Sequence, residues 1–387
     1  MGASAAPGSL PNVTEVPPRA SEEPTLLVTL TGEDRPGVTS TLFTALSDTP
    51  ATVLDVADQL DMKVRCRKGR GDNVHRPGGR LHVTVLGAPL LPAAIAAVAR
   101  QVAGQGANID RIRRISRWPV TTVEFDVSGG DVPSLRRAVA SEAVVLGVDV
   151  AVSPAGLARR GRRLVVMDVD STLIQDEVIE LLAAHAGLEA EVAAVTERAM
   201  RGEIDFAQSL HERVACLAGL PESVLAHVRD AVRLTPGART LVRTLRRLGF
   251  TVALVSGGFV EVVGPLAASL DIEHYRANRL EVVGGRLTGR VVGDVVDRAG
   301  KAAALRGFAA AEGLPLSRTI AIGDGANDLD MLDAAGLGIA FNAKPVVREQ
   351  ADTSVTVPFL DAVLYLLGIP REEVEEADAA DGLLVPD

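Results

Sequence analysis

Aromatic residues make up only 3% of the 387-residue chain, with one Trp and two Tyr. So few flat side chains argue against stacking platforms for bases or sugars as the main recognition device. Cysteine is nearly absent: Cys66 and Cys216 supply neither a disulfide framework nor, by themselves, a zinc site, and they fit a reducing, cytoplasmic setting. Basic charge is in deficit, with 40 Lys plus Arg against 50 Asp plus Glu and a net charge of -10. That balance gives no global attraction to nucleic acid or to an anionic membrane. No stretch reaches the roughly 18 apolar residues of a membrane span. The start of the chain lacks the basic-then-apolar pattern of a signal peptide. What is present is ample apolar material, 47% against 23% charged, which excludes a disordered or collagen-like chain. At about 150 residues per domain, two or three domains are expected.

The Pro-, Ala- and Ser-rich residues 1–24 are expected to be a disordered leader. Residues 371–387, with Glu372, Glu373, Glu375, Glu376, Asp378 and Asp381, are expected to be a solvated acidic tail.

An internal repeat organises the front of the chain. Val28-Thr-Leu-Thr-Gly32 returns as Val83-Thr-Val-Leu-Gly87, 55 residues later. Each copy reads as a strand followed by a helix, Val38 to Leu46 and Ala93 to Val102, and then a further strand, Ala51 to Val56 and Ala107 to Ile112. The second copy continues through a strand at Val120 to Val127, a helix near Leu135 to Val144 and a strand at Val148 to Val152. Arg80 to Ser153 is therefore predicted to have the ferredoxin-like α+β order. The first copy, 25–79, lacks its second helix and last strand. In their place lies a basic, Gly- and Pro-containing loop at 65–80, which reads as an irregular loop or as a phosphate-binding patch.

From Arg162 the pattern becomes α/β. The apolar runs Leu164–Met167, Thr251–Val255, Thr319–Ile322 and Leu337–Phe341 alternate with helical stretches, as in a doubly wound parallel sheet covered on both faces. Function in such sheets sits at the carboxyl ends of the strands. A helical insert at about 176–234 is long enough to cap that edge.

Three runs end in polar or glycine-rich turns. The first ends Asp168-Val-Asp-Ser-Thr172. Two carboxylates so close repel unless a cation joins them or one is protonated, and both solutions suit phosphoryl transfer. An ionised Asp attacks phosphorus, and a neighbouring acid protonates the leaving oxygen and later activates water. Magnesium, a hard cation, takes carboxylate and phosphate oxygens. The second run ends Ser256-Gly-Gly258, where backbone N–H groups approach a phosphate closely; alone it reads equally as a strand-to-helix turn. The third ends Gly323-Asp-Gly-Ala-Asn-Asp328, which alone reads as a solvated turn. Lys301 offers a cation upstream.

In this order, Asp-x-Asp-Ser-Thr, Ser-Gly-Gly, Lys301 and Gly-Asp-Gly-x-Asn-Asp resemble the haloacid dehalogenase superfamily of phosphatases over 162–370. Within it, Asp168 to Glu177, Ala199 to Phe206 and Ser209 to Arg213 are similar to the phosphoserine phosphatase family. The resemblance implies Asp168 as nucleophile and Asp170 as general acid and base. It implies magnesium on Asp168, Asp324 and the backbone carbonyl of Asp170, with Asp328 in support. Ser256, Gly257 and Lys301 would hold phosphate, with Asn327 nearby. Glu177 would meet the amino group of O-phospho-L-serine and Arg213 its carboxylate, while Met200 and Phe206 would form an apolar lid. A zwitterionic substrate does need one anion and one cation near the phosphate. Singly, Glu177 and Arg213 also read as surface charges, and Met200 and Phe206 as core.

The front copies, 25–79 and 80–155, resemble ACT domains, and Gly32-Glu-Asp-Arg-Pro-Gly37 is similar to that family's ligand loop. The resemblance implies L-serine as a regulatory ligand near Asp34 and Gly37, a homodimer, and the last step of serine biosynthesis. Three alternatives stay open: another small phosphomonoester as substrate, a phosphotransferase, and an amino-acid sensor on an inactive scaffold.

Overall fold

A computed structural model of the chain describes residues 13–16, 25–28, 37–47, 79–156, 159, 161–201 and 203–383, without the side chains of 13–16, 25–28, Ser141 and Met200. The expected strand at Ala51–Val56, the basic loop up to residue 78, Asp34 and most of the first ACT-like copy lie outside the described residues.

The larger sheet is built from apolar runs too short and too β-branched to be helices. Its core strands are β7 (Leu164–Met167), β8 (Thr251–Phe259), β11 (Thr319–Gly323), β12 (Leu337–Phe341) and β13 (Thr353–Val355), paired in parallel. A hairpin of β9 (His274–Val283) and β10 (Arg286–Val292) completes the order β10-β9-β8-β7-β11-β12-β13. Side chains alternate across the sheet. Val165 and Met167 of β7 enter one core with Leu245 and Val263, while Leu164 and Val166 enter another with Leu305 and Met331. These partners come from α8 (Ala238–Arg247) and α9 (Val260–Ser269) on one side. On the other they come from α10 (Arg298–Ala311) and α11 (Leu329–Ala334). From β7 the chain passes to β8 on one flank and later to β11 on the other, so the strand order reverses at β7 and opens a crevice at its carboxyl end. The insert before β8 folds as four helices, α4 (Val178–Ala186), α5 (Glu189–Met200), α6 (Phe206–Cys216) and α7 (Val224–Ala231).

The smaller sheet contains β3 (Gly79–Gly87), β4 (Asn108–Ser116), β5 (Thr121–Gly130) and β6 (Asp149–Pro154). They pair antiparallel in the order β4-β5-β3-β6, with α2 (Pro92–Gly104) and α3 (Val132–Leu146) between strands, as the ferredoxin-like reading requires. Leu81, Val83, Val85, Phe125 and Val152 pack beneath the helices. Phe43 of α1 (Val38–Leu46), from the first copy, joins the same core. The opposite sheet face meets the phosphatase-like half, where Leu86 and Ala151 enter its core. Fully buried Glu124 is held there by Arg113 and by Arg159 from the linker.

Two stretches carry more structure than expected. Within the predicted leader, β1 (Val13–Val16) pairs antiparallel with β2 (Thr25–Val28). The acidic tail is not wholly solvated: Arg371–Ala380 forms α14, with Val374 buried and Asp378 clamped by Arg243 and Arg247 of α8. The chain between β12 and α14 also carries α12 (Pro345–Gln350) and α13 (Ala362–Leu366). Among the described residues, no helix is long and apolar enough to cross a membrane.

Candidate active site

Every residue of β7 is buried, so the strand delivers the next side chain, Asp168, to the floor of the crevice at 3% exposure. Its N–H donates to the Ile322 carbonyl at 2.9 Å, extending the β7–β11 ladder, and its Oδ1 accepts the Val169 N–H at 2.7 Å. The chain then turns sharply, with Ser171 at φ 55, a left-handed conformation that a serine adopts only under constraint. The turn aims Asp170 back into the crevice. Its Oδ1 accepts the Val178 N–H at the start of α4 (2.8 Å), and its Oδ2 accepts the Ser256 hydroxyl (3.0 Å).

Lys301 sits in the first turn of α10, whose N-cap Asp297 accepts the Gly300 N–H at 2.7 Å. Its ammonium is 1% exposed and bridges Asp168 Oδ2 and Asp328 Oδ1, each at 2.7 Å. Asp328 also accepts the Gly325 N–H at 3.0 Å, so both its oxygens are engaged. Gly323 is required here, because a Cβ would overlap the Asp328 carboxylate. Asp324 accepts the Thr172 hydroxyl at 3.1 Å.

Oxygens of Asp168, Asp324 and Asp328 all lie within 4.8 Å of one another. One buried ammonium does not balance three carboxylates plus Asp170, and the protonation equilibria show the excess. Burial, then the Asp328 charge, hold Asp168 well above the usual carboxylate range against the pull of Lys301. Burial also raises Asp170 against the Val178 and Ser256 hydrogen bonds. Burial and the Asp328 charge bring Asp324 up to about 6. Burial alone would lower Lys301, but Asp168 and Asp328 raise it above its ordinary value. An all-oxygen donor set with surplus negative charge fits a hard divalent cation. A second cluster, His82, Glu124 and Asp126, does not fit one, since Arg113 and Arg159 already neutralise Glu124.

At the end of β8, Ser256 Oγ accepts the Gly258 N–H at 2.7 Å. A Cβ on Gly258 would lie 2.9 Å from Asp170 Oδ2, and one on Gly257 would lie 3.1 Å from Phe206 Cζ. The two glycines thus let the strand end, the acid and the cap converge. Phe206 and Arg213 are two helical turns apart on α6 and share a face. Arg213, partly buried, donates from Nε to the Ser209 carbonyl at 3.3 Å. Among the described residues no carboxylate pairs with it, and burial lowers its pKa despite the charges of Glu177 and Asp170. Glu177 accepts the Ser171 hydroxyl at 2.8 Å, and burial with the Asp170 charge brings it up to about 7.

The structure therefore brings together Asp168, Asp170, Glu177, Phe206, Arg213, Ser256, Gly257, Lys301, Asp324 and Asp328. Asn327 sits partly buried in the turn between Asp324 and Asp328. Met200 ends α5, and its side chain lies outside the described residues, as does Asp34. Gly37 is far along the chain at the start of α1, in the left-handed region at φ 94. Sequence reasoning missed Thr235, whose hydroxyl donates to the Thr172 carbonyl at 2.7 Å, and Asn278, which donates to the Gly257 carbonyl at 2.8 Å. Ser171 and Thr172 stand out in the sequence only as part of the Asp-x-Asp-Ser-Thr motif.

Residues 165–333 match the haloacid dehalogenase-like hydrolase family, and residues 24–60 and 81–153 each match an ACT domain. A phosphoserine phosphatase of Streptomyces coelicolor is 58% identical over 94% of this chain and 97% of its own. A phosphoserine phosphatase of Mycobacterium tuberculosis is 50% identical over 92% of this chain and 96% of its own. The crystal structure of a probable phosphoserine phosphatase from Vibrio cholerae, unliganded, superposes with a TM-score of 0.58 at 34% identity, covering 76% of this chain and 88% of that one. With the crevice built as it is and likeness of this extent along nearly the whole length, the chain belongs to the phosphoserine phosphatase family of haloacid dehalogenase-like hydrolases, with ACT domains in its front half.

Proposed function

We propose that this enzyme hydrolyses O-phospho-L-serine to L-serine and phosphate through a phosphorylated Asp168, with magnesium, as the last step of serine biosynthesis. The observation that carries the reading is the presence in one crevice of the buried Asp168–Lys301–Asp328 chain, an anion at Glu177 and a cation at Arg213 without a carboxylate partner. Arg213 suits the substrate carboxylate and Glu177 its ammonium, Phe206 closes over Gly257, and Met200 is the second lid residue of the same reading.

Magnesium on Asp168, Asp324 and the Asp170 carbonyl would neutralise phosphate charge and make phosphorus more electrophilic. Asp328 holds Lys301 and the Gly325 N–H in place. The Ser256 hydroxyl, the Gly257 N–H and Lys301 hold the phosphate oxygens, with Asn327 beside them. A carboxylate oxygen of Asp168 attacks phosphorus as the bond to the serine oxygen breaks, and that oxygen takes the electron pair and a proton from Asp170. Asp170, raised by burial, suits a group that arrives protonated. Its carboxylate then takes a proton from water as the water oxygen attacks phosphorus. The phosphorus–Asp168 bond breaks, its electron pair returns to Asp168, and phosphate leaves.

Phosphate release from L-phosphoserine, measured for the wild type and Asp168→Asn with magnesium or chelator, tests this. Release is expected only from the wild type with magnesium, the variant losing at least about 10³-fold. Release by a folded Asp168→Asn protein would remove the nucleophile.

The division into ACT-like copies at 25–79 and 80–155 and a phosphatase domain at 162–370 belongs to the same reading, as do a cytoplasmic homodimer and regulation by L-serine at Asp34 and Gly37. The exposed pair Val144 and Val145 on α3 supports association. Serine that neither binds the full chain nor alters its turnover would remove the regulatory part.

A further inference from the structure

β8 and β9 run in register through Ala253 and His274, Leu254 and Tyr275, and Val255 and Arg276, then resume at Phe259 and Asn278. Four steps along β8 thus match two along β9, and Ser256, Gly257 and Gly258 bulge out of the ladder. A bulge strips backbone groups of their partners, and bulges concentrate beside active sites. This one is buried, with Ser256 at 0% exposure, so each released group needs a new partner.

The Asn278 side chain, 1% exposed, supplies one of them and ties it to a second element. Its Nδ2 donates to the Gly257 carbonyl at 2.8 Å, and its Oδ1 accepts the Val296 N–H at 2.8 Å. A carbonyl on one side and an N–H on the other leave the amide one orientation. The other end of the Gly257–Gly258 peptide, the Gly258 N–H, donates to Ser256 Oγ. That peptide plane is therefore held at both ends. Val296 immediately precedes Asp297, the N-cap of the helix that carries Lys301. One carboxamide consequently joins the two elements that would grip phosphate, which come from opposite sides of the β9–β10 hairpin in the sequence.

We propose that Asn278 is a positioning residue for the phosphate group. It fixes the Ser256–Gly258 turn against the start of α10, so that the Ser256 hydroxyl, the Gly257 N–H and the Lys301 ammonium converge on one phosphate. Asparagine alone meets the requirement at this reach. Aspartate keeps the acceptor for Val296 but sets an anion against the Gly257 carbonyl, and alanine leaves both backbone groups unpartnered. The inference rests on the phosphatase reading, because it assigns the turn to phosphate.

The test compares full-length wild type, Asn278→Asp and Asn278→Ala in KM for phosphoserine and in inhibition by inorganic phosphate and by L-serine. Circular dichroism serves as the check on folding. For Asn278→Asp, KM and the phosphate inhibition constant are expected to rise about tenfold or more, the scale of a small displacement of a positioned group, while inhibition by L-serine stays unchanged. Unchanged phosphate inhibition, or phosphate and serine inhibition weakening together, would overturn the proposal. So would failure of both variants to fold, which would make Asn278 a support of the sheet alone. If the wild type does not hydrolyse phosphoserine, the activity reading fails instead. Calorimetric binding of inorganic phosphate to wild type and variants then still decides the role of Asn278.

Discussion

On the proposed reading, Glu177 is a single side chain prepared for one ligand. Burial and the Asp170 charge bring its pKa up to about 7, and the Ser171 hydroxyl holds one of its oxygens. A half-protonated carboxylate in a low-dielectric crevice gains most from an incoming ammonium, which restores its charge. Glu177→Gln keeps the shape and removes the charge. It should lower kcat/KM for phosphoserine by about 10- to 100-fold, the range of one charge-assisted hydrogen bond. Its effect on an aryl phosphate without an amino group should be small. Comparing the two substrates decides the matter, and equal losses would take the amino group away from Glu177.

At the scale of elements, the ends of β7 and β11 place carboxylates closer together than Lys301 alone can balance. Asp324 reaches about 6 against an ordinary 3.8, so the folded, cation-free protein binds its proton more tightly than the unfolded chain does. Its contribution to stability is therefore largest at low pH and is lost as pH rises from about 4 through about 6. A cation replaces that proton. Magnesium should raise Tm by several degrees at pH 7.5 and by much less at pH 5, read by scanning calorimetry against chelator. Equal shifts at both pH values would contradict the arrangement.

The same elements show what a sequence displays. Leu164–Met167 and Thr319–Ile322 are buried on both faces and stop at glycine or acidic turns, so their strands and their acidic ends are visible at short range. The β9–β10 hairpin is not, because Arg276, Arg279, Arg286 and Arg290 interrupt it and its valines Val283 and Val292 lie exposed, leaving only Leu280 and Leu287 as buried apolar positions. α14 was hidden because it is anchored by the pairing of Asp378 with Arg243 and Arg247, more than a hundred residues away, with Val374 as its main apolar contact. Thr235 and Asn278 act on backbone groups that only the folded chain brings near. Their types and spacing carry no signal.

For the molecule as a whole, the joint between the front sheet and the phosphatase core adds specific polar contacts to the apolar ones of Leu86 and Ala151. Asp149 of β6, 1% exposed, accepts the Ser354 hydroxyl at 2.5 Å, the Thr356 N–H at 2.8 Å and the Thr356 hydroxyl at 3.0 Å. Thr353 donates to the Val150 carbonyl at 2.9 Å. Arg136 of α3 pairs with Asp352, which in turn accepts the Gly338 N–H. Asp149→Ala leaves three donors without their acceptor and should cost about 2–3 kcal/mol of stability by chemical denaturation. KM for phosphoserine should hold, since the joint lies away from the crevice. Unaltered stability would show that the two halves are held mainly elsewhere.

The joint has another consequence. β13 is three residues long and closes one side of the seven-stranded sheet. An open strand edge invites a second chain to add to it, the first step of aggregation. Here β6 lies against β13, so the ACT sheet guards that edge. A front half that swung away to signal would uncover it at every cycle, and any message it sends to the crevice must therefore travel as a small shift through a closed joint.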